Sequence, residues 1–170
     1  MKINIFTDTH LNVSRQAHTT AASSARLNEA LYQAALAAKS DEYQNFHLGD
    51  LFDKSYNPEW AIAQGIEVAR DCVVISGNHD ETNRADTKCS LEVVEMAGVG
   101  NIIRQDVMDY RSSIVLNNKI FIVPHHATQE LFEEALNTAK ADAAGIDKPL
   151  LMVHCNRGTK DLHIDAELEH

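Results

Sequence analysis

The sequence predicts an α/β fold, because short apolar runs alternate along the chain with longer helix-like runs. Ile, Val and Leu collect in the short runs, and polar turns holding Asp, Asn or His follow four of them. No internal repeat, linker or low-complexity segment interrupts the 170 residues, so one domain is expected.

Taken in order, Lys2–Phe6 reads as a buried first strand followed by the polar turn Thr7–Asn12. Residues from about Thr20 to Lys39 are alanine-rich, and Leu27, Leu31, Ala34, Ala35 and Ala38 recur at helical spacing, opposite Asn28, Glu29, Tyr32 and Gln33. Tyr43–Leu48 is a short strand entering Gly49-Asp50. Asn57 is the expected N-cap and Pro58 the first residue of a helix over Glu59–Ala69, weakened by Gly65. Cys72–Ser76 is a β-branched strand, and Ser90–Ala97 a brief helix closed by Gly98. Strands are expected around Ile102–Ile103, Ser112–Leu116 and Ile120–Val123, with a hairpin turn at Asn117-Asn118. Thr128 caps a helix to about Ala144 that buries Leu131, Phe132, Ala135, Leu136 and Ala139 and stops at Gly145. Leu150–Val153 is an apolar strand ending at His154.

Composition narrows the function. An apolar fraction of 44% and a charged fraction of 24% belong to a globular chain. No apolar stretch approaches the length of a membrane span or a secretory signal. Cys72, Cys89 and Cys155 are too scattered for a disulfide framework or a thiolate zinc site, so a reducing, cytoplasmic setting is expected. The formal charge of -10 argues against a broad basic face for a phosphate backbone, although bound divalent cations would offset part of it.

The chemistry-bearing residues share one position: Asp8 and His10, Asp50, Asn78 to Asp80, and His154 each follow a predicted strand. In open α/β sheets, sites assemble in the crevice beyond the carboxyl ends of the strands. Asp8-Thr9-His10 offers a carboxylate and an imidazole from one turn. Asp50, after a glycine that permits a tight turn, has two oxygens and can bridge two ions. Asn78 is a neutral ligand that keeps such a cluster positive, leaving His79 to face substrate and Asp80 to hold its ring in one tautomer. Each piece alone reads as a solvated polar loop, and Asp53 alone as a cap or hydrogen-bonding residue; their convergence is what points to a site.

The set Asp8-Thr9-His10, Gly49-Asp50-Leu51-Phe52-Asp53, Gly77-Asn78-His79-Asp80 and His154 resembles the calcineurin-like metallophosphoesterase superfamily from Met1 to about Asn156. Within it, Gly49 to Asp53 and Ile122-Val123-Pro124 look like the SbcD/Mre11 DNA-repair nucleases and their phage relatives. The resemblance implies a metallophosphoesterase-type β-sandwich of two mixed sheets with flanking helices. It also implies two divalent ions: Asp8 and His10 on the first, Asp50 bridging, Asn78 and His154 on the second. His79 would contact the scissile phosphate and assist the leaving oxygen, oriented by Asp80. His125 and His126 match a rim loop, as residues behind the ligands or facing substrate and otherwise as surface residues. Arg157, with Arg15 and Arg84, lies near motif-bearing loops, to meet phosphate or else as a solvated side chain. His18 and His47 have no expected catalytic role.

The implied family usually ends with Gly-His-x-His, one His for each metal, and residues 1–170 contain no such motif; His163 and His170 lack its glycine and its spaced pair. Truncation at the C-terminal end is therefore expected, since Leu168-Glu169-His170 resembles the start of a purification tag. A natural end with an incomplete site is the alternative. The expected activity is metal-dependent phosphodiester hydrolysis by activated water, with Mn²⁺ or Mg²⁺ favoured by the oxygen-rich ligands and Zn²⁺ or Fe left open by the histidines. The resemblance points to DNA as substrate, a homodimer, an SbcC/Rad50-like ATPase partner and no membrane. A small-molecule or cyclic-nucleotide phosphodiesterase and a catalytically silent partner-binding domain are the competing readings.

Overall fold

The computed structural model describes residues 2–13, 20–82, 88–104, 114–116 and 119–155. Its elements run β1 (Ile3–Phe6), α1 (Ala21–Ala38), β2 (Gln44–His47), α2 (Glu59–Ala69), β3 (Cys72–Ile75), α3 (Ser90–Met96), β4 (Asn101–Ile103), β5 (Ile114–Leu116), β6 (Ile120–Val123), α4 (Gln129–Asp142) and β7 (Leu150–Val153). Strands β1 to β4 pair in sequence order as a parallel sheet. A second, mixed sheet has the order β5-β6-β7, with β5 antiparallel and β7 parallel to β6.

The two-residue period of the strands sorts their side chains into separate interiors. Phe46, Val73, Ile75 and Ile103 of the first sheet pack with Ile120, Ile122 and Met152 of the second, which makes a sandwich. The alternate residues Cys72 and Val74 face the opposite way and pack with Ala35 of α1, Val68 and Ala69 of α2, and Leu91 and Val94 of α3. On the far side, Phe121 and Val123 meet Phe132, Ala135 and Ala139 of α4. Helix, sheet, sheet and helix thus form successive layers, the sandwich the sequence motifs imply. The first sheet, however, is wholly parallel among the described residues where two mixed sheets were expected, because a helix returns the chain between each pair of its strands. Each large side chain buried at the centre, such as Phe46, contributes about 1.5–3 kcal/mol of transfer free energy.

Two local expectations are corrected. The buried stripe of α1 carries Asn28 and Ala35, with Tyr32 and Leu36 packed alongside, whereas Leu27 is 48% exposed. An alanine-rich helix discriminates weakly between its faces, so its neighbours choose the face. The Tyr32 hydroxyl donates to Glu67, and Lys39 Nζ donates to the carbonyls of Glu67 at 3.2 Å and Arg70 at 2.6 Å, both fastening α1 to α2. Asn57 does not cap α2; Pro58 holds the N-cap position without a side-chain bond. The Asn57 amide is occupied elsewhere, accepting from Asn12 and donating to Lys54 and Ser90. Gly65, read as a weakness, has a packing reason: a Cβ there would stand 2.4 Å from the Phe52 ring. Thr128 caps α4 as expected and Thr20 also caps α1, while α4 ends at Asp142, slightly before the expected stop. The expected turn at Asn117-Asn118 lies outside the described residues.

His47 shows what the parallel sheet excludes. It is fully buried, its ring lies edge-on to Phe6 with centroids 5.1 Å apart, and Nε2 meets the Thr9 hydroxyl at 3.0 Å. Burial drives its pKa down to about 3, partly offset by Asp8, so the folded protein holds it neutral. A pKa depressed below the unfolded value of 6.5 means that the unfolded chain takes up a proton first, so stability falls as pH drops below about 6.5. We expect His47→Gln to remove this component: between roughly pH 7 and pH 5, the stability difference between wild type and variant in urea titrations should change by about 2 kcal/mol. An unchanged difference would show that His47 is protonated in the fold.

Candidate metal centre

The loops after β1 and β2 continue the sheet's hydrogen bonding past its strands. Asp8 N–H donates to Gly49 O at 3.1 Å, His10 N–H to Asp50 O at 3.0 Å, and Leu11 N–H to Leu51 O at 2.9 Å. Asp8, His10 and Asp50 all have positive φ, at 55°, 44° and 54°. Non-glycine residues adopt that conformation at a cost of order 1–3 kcal/mol, and only a surrounding frame that overdetermines it sustains it. The result turns three polar side chains onto one edge of the sheet.

Asp50 is the centre of the cluster, and its two oxygens face different groups. Oδ2 is 3.6 Å from His10 Nε2, which is itself 3.7 Å from Asp8 Oδ1. Oδ1 is 3.6 Å from His154 Nε2, which lies 3.1 Å from Asn78 Oδ1. His154 arrives from the second sheet: its Nδ1 donates to Leu48 O at 2.7 Å and its N–H to Val123 O at 3.2 Å. Two glycines make room. A Cβ on Gly77 would lie 2.1 Å from Asp50 Oδ1, and one on Gly49, where φ is +100°, would lie 2.3 Å from His154 Nδ1. The spacing of motifs showed neither requirement, nor that the Leu48 carbonyl would orient His154.

Asp80 stands elsewhere than expected. Its carboxylate does not hold the His79 ring; it accepts N–H bonds from Gly77 at 2.9 Å, Phe52 at 3.0 Å and Leu51 at 3.2 Å. Burial pushes its carboxyl up to about 7 against the pull of those donors. It ties the loop after β2 to the loop after β3. The ring of His79 is oriented by the other acid of the motif: Nδ1 donates to the Asp53 main-chain carbonyl at 2.8 Å, and its N–H donates to Asp50 Oδ1 at 3.0 Å. The carbonyl bond chiefly raises the His79 pKa, opposed by burial and helped by the charges of Asp50, Asp53 and Asp80. The Asp53 carboxylate meanwhile lies 3.5 Å from His10 Nδ1.

The adjacent histidines point apart. The His125 ring lies 6.4 Å from that of His154, and its N–H bonds Ser76 O at 3.1 Å, joining the two sheets beside the site. His126 turns under α4, with Nδ1 donating to Pro124 O and its ring edge-on to Phe132. Burial lowers the pKa of both. Arg157, with Arg15, Arg84, His18, His163 and His170, lies outside the described residues. Two shallow hollows open on either side of Asn78. One of 470 Å³ is lined by Asp53, Lys54, Ser55, Tyr56, Asn78 and His79; the other, of 400 Å³, includes Asp8, Asp50, Asn78, His154 and Cys155.

The donor set fits divalent cations. Because Nδ1 of His79 and of His154 each donates to a carbonyl, which can only accept, the Nε2 lone pair of each neutral ring is free. His154 Nε2, Asn78 Oδ1 and Asp50 Oδ1 are then three electron-rich atoms at 3.1–3.6 Å, an arrangement that needs a cation or a proton among them. One ligand atom each of His10, Asp50 and His79 also falls within 4.8 Å of the others. The His79 ring sits 4.9 Å from that of His10, so it stands near the ligands as well as facing the larger hollow.

The profile of the calcineurin-like phosphoesterases matches residues 1–167. Among solved structures, a protein of unknown function, AQ665 from Aquifex aeolicus, is similar at 17% identity and a TM-score of 0.45, over 92% of this chain and 81% of that one. No curated protein matches the chain.

Two substitutions probe the frame. Gly49→Ala should displace the His154 ring, destabilise the protein by about 1–3 kcal/mol and shift the His154 imidazole resonances; unmoved resonances would contradict the crowding. Asp80→Ala leaves three buried N–H groups without their acceptor and should cost more, about 3–5 kcal/mol in urea unfolding, whereas a loss under about 1 kcal/mol would show that the clamp is dispensable.

Proposed function

The chain belongs to the calcineurin-like phosphoesterase family, and from that premise we propose that it hydrolyses phosphodiesters, with DNA as its substrate in the manner of SbcD/Mre11-type nucleases. Members of this family hydrolyse phosphoesters with divalent metals, and the candidate ligand cluster accords with that chemistry. The observation that carries the reading is the Asp50 carboxylate, whose two oxygens face two separate donor groups. On this reading Asp8 and His10 would hold one ion and Asn78 and His154 the other, with Asp50 supplying a carboxylate oxygen towards each group. The oxygen ligands favour Mn²⁺ or Mg²⁺, of which we propose Mn²⁺, and the imidazoles leave Zn²⁺ or Fe open. No helix among the described residues is long and apolar enough to cross a membrane.

When bound, such ions neutralise phosphate oxygens and acidify water. The rest falls to the chain. Asn78, neutral and shared by both hollows, lines the site without adding negative charge that would repel a phosphate. His79 keeps one proton on Nδ1, donated to Asp53 O, and that bond raises its pKa, so the ring can carry a second proton at Nε2 and deliver it to the leaving oxygen. The Gly49 to Asp53 and Ile122-Val123-Pro124 segments support the nuclease assignment, and with it a homodimer, an SbcC/Rad50-like ATPase partner and a cytoplasmic setting. The net charge of -10 favours a second reading, a small nucleotide or cyclic-nucleotide diester that needs no basic face.

Hydrolysis of a chromogenic phosphodiester with Mn²⁺ tests the activity, and linear DNA against small nucleotides separates the two substrate readings. His79→Asn should lower kcat by about 10²–10⁴-fold while Mn²⁺ affinity by calorimetry stays near wild type. Equal loss of both would make His79 a ligand instead.

A further inference from the structure

We infer that the hollow beside His79 is a nucleobase subsite, in which Tyr56 stacks against the base of the leaving nucleoside. This rests on the phosphodiesterase reading above and sharpens its substrate to nucleotides that carry a base on the leaving side.

The hollow brings together the proton-bearing His79, Asn78, Lys54, Ser55 and Tyr56. Tyr56 is 41% exposed, a large aromatic surface left at the rim of a polar site. It is also held in place. Its hydroxyl meets Thr82 Oγ1 at 2.9 Å, so the phenol is tethered at its far end. The segment that carries it is pinned on both sides. Ser55 Oγ donates to the carbonyls of His79 and Glu81, and Ser55 O accepts from Ser90 N–H at 2.7 Å. Asn57 Nδ2 donates to Lys54 O at 2.6 Å and Ser90 Oγ at 3.1 Å. The loop is therefore built onto the His79 backbone and onto α3. A ring ordered in advance loses little entropy on binding a base.

Position selects the leaving side. His79 lines this hollow together with Tyr56, and on the phosphodiesterase reading it meets the leaving oxygen, so the nucleoside attached through that oxygen occupies the hollow on the His79 side. Aromatic stacking tolerates any base, and Lys54, exposed at the same rim, offers a cation to a neighbouring phosphate. The pairing explains how a chain of net charge -10 could hold a nucleotide strand without a broad basic face.

The test compares thymidylyl-thymidine with the same phosphodiester whose leaving-side nucleoside is an abasic deoxyribose, in Mn²⁺. Wild type should prefer the base-bearing substrate by about 5- to 100-fold in kcat/KM, chiefly through KM. Tyr56→Ala should collapse that ratio towards unity, whereas Tyr56→Phe and Tyr56→Trp, which keep an aromatic surface but lose the Thr82 tether, should retain most of it. An unchanged ratio in Tyr56→Ala, or an equal loss on both substrates, would overturn the subsite while leaving the phosphodiesterase intact. Hydrolysis of a chromogenic diester with neither dinucleotide cleaved would remove the nucleotide reading and the subsite together.

Discussion

The buried carboxylate of Asp80 is the constraint on which the site's geometry rests. It accepts from the N–H groups of Leu51 and Phe52 in the loop after β2 and from Gly77 in the loop after β3. Those loops carry Asp50 and Asn78, so one side chain fixes the distance between the central carboxylate and its neutral neighbour. An anion in a dry interior is costly, and three directed N–H groups are what this fold sets against that cost. Gly77 must lack a side chain for the same reason, since the loops approach so closely that a Cβ would occupy the place of Asp50 Oδ1.

A second dependence runs between the sheets. Packing of Phe46, Val73 and Ile75 against Ile120, Ile122 and Met152 joins them along their length without directional specificity. Direction comes from two polar contacts at the site's edge, His154 to the Leu48 carbonyl and His125 N–H to Ser76, while His154 N–H to Val123 extends the pairing of β7 with β6 within the second sheet. His154 therefore holds the two sheets in register while it presents its free nitrogen to Asp50 and Asn78. Structural and chemical roles coincide in one imidazole, because both sheets end at the same edge.

The three acids around Asn78 and His79 illustrate how function divides among similar groups. Asp50 lies between two imidazoles, Asp80 faces only backbone donors, and Asp53 contributes its carbonyl to His79 and its carboxylate to His10. Residue type alone would make them interchangeable. Their neighbours assign one to the centre of the cluster, one to the frame and one to the orientation of His79.

Much of this was legible in the sequence. Strand periodicity, the threonine cap of α4 and the placing of Asp8, His10, Asp50, Asn78 and His154 after strands are local properties, set by propensity and by where a chain must turn. The motif order likewise pointed to the family before any coordinate did. The face that α1 buries, the engagement of Asn57 away from α2, and the exchange of duties between Asp53 and Asp80 were not legible, because each depends on a group brought close only by folding. A neighbour in sequence, Asp80, looked like the natural partner of His79, yet the sharp turn after β3 sends its side chain inward to backbone donors. Sequence determined which chemical groups gather at the sheet's edge; tertiary structure decided which atom of each faces which, since hydrogen-bond direction and close approach across loops are set only when both sheets are packed.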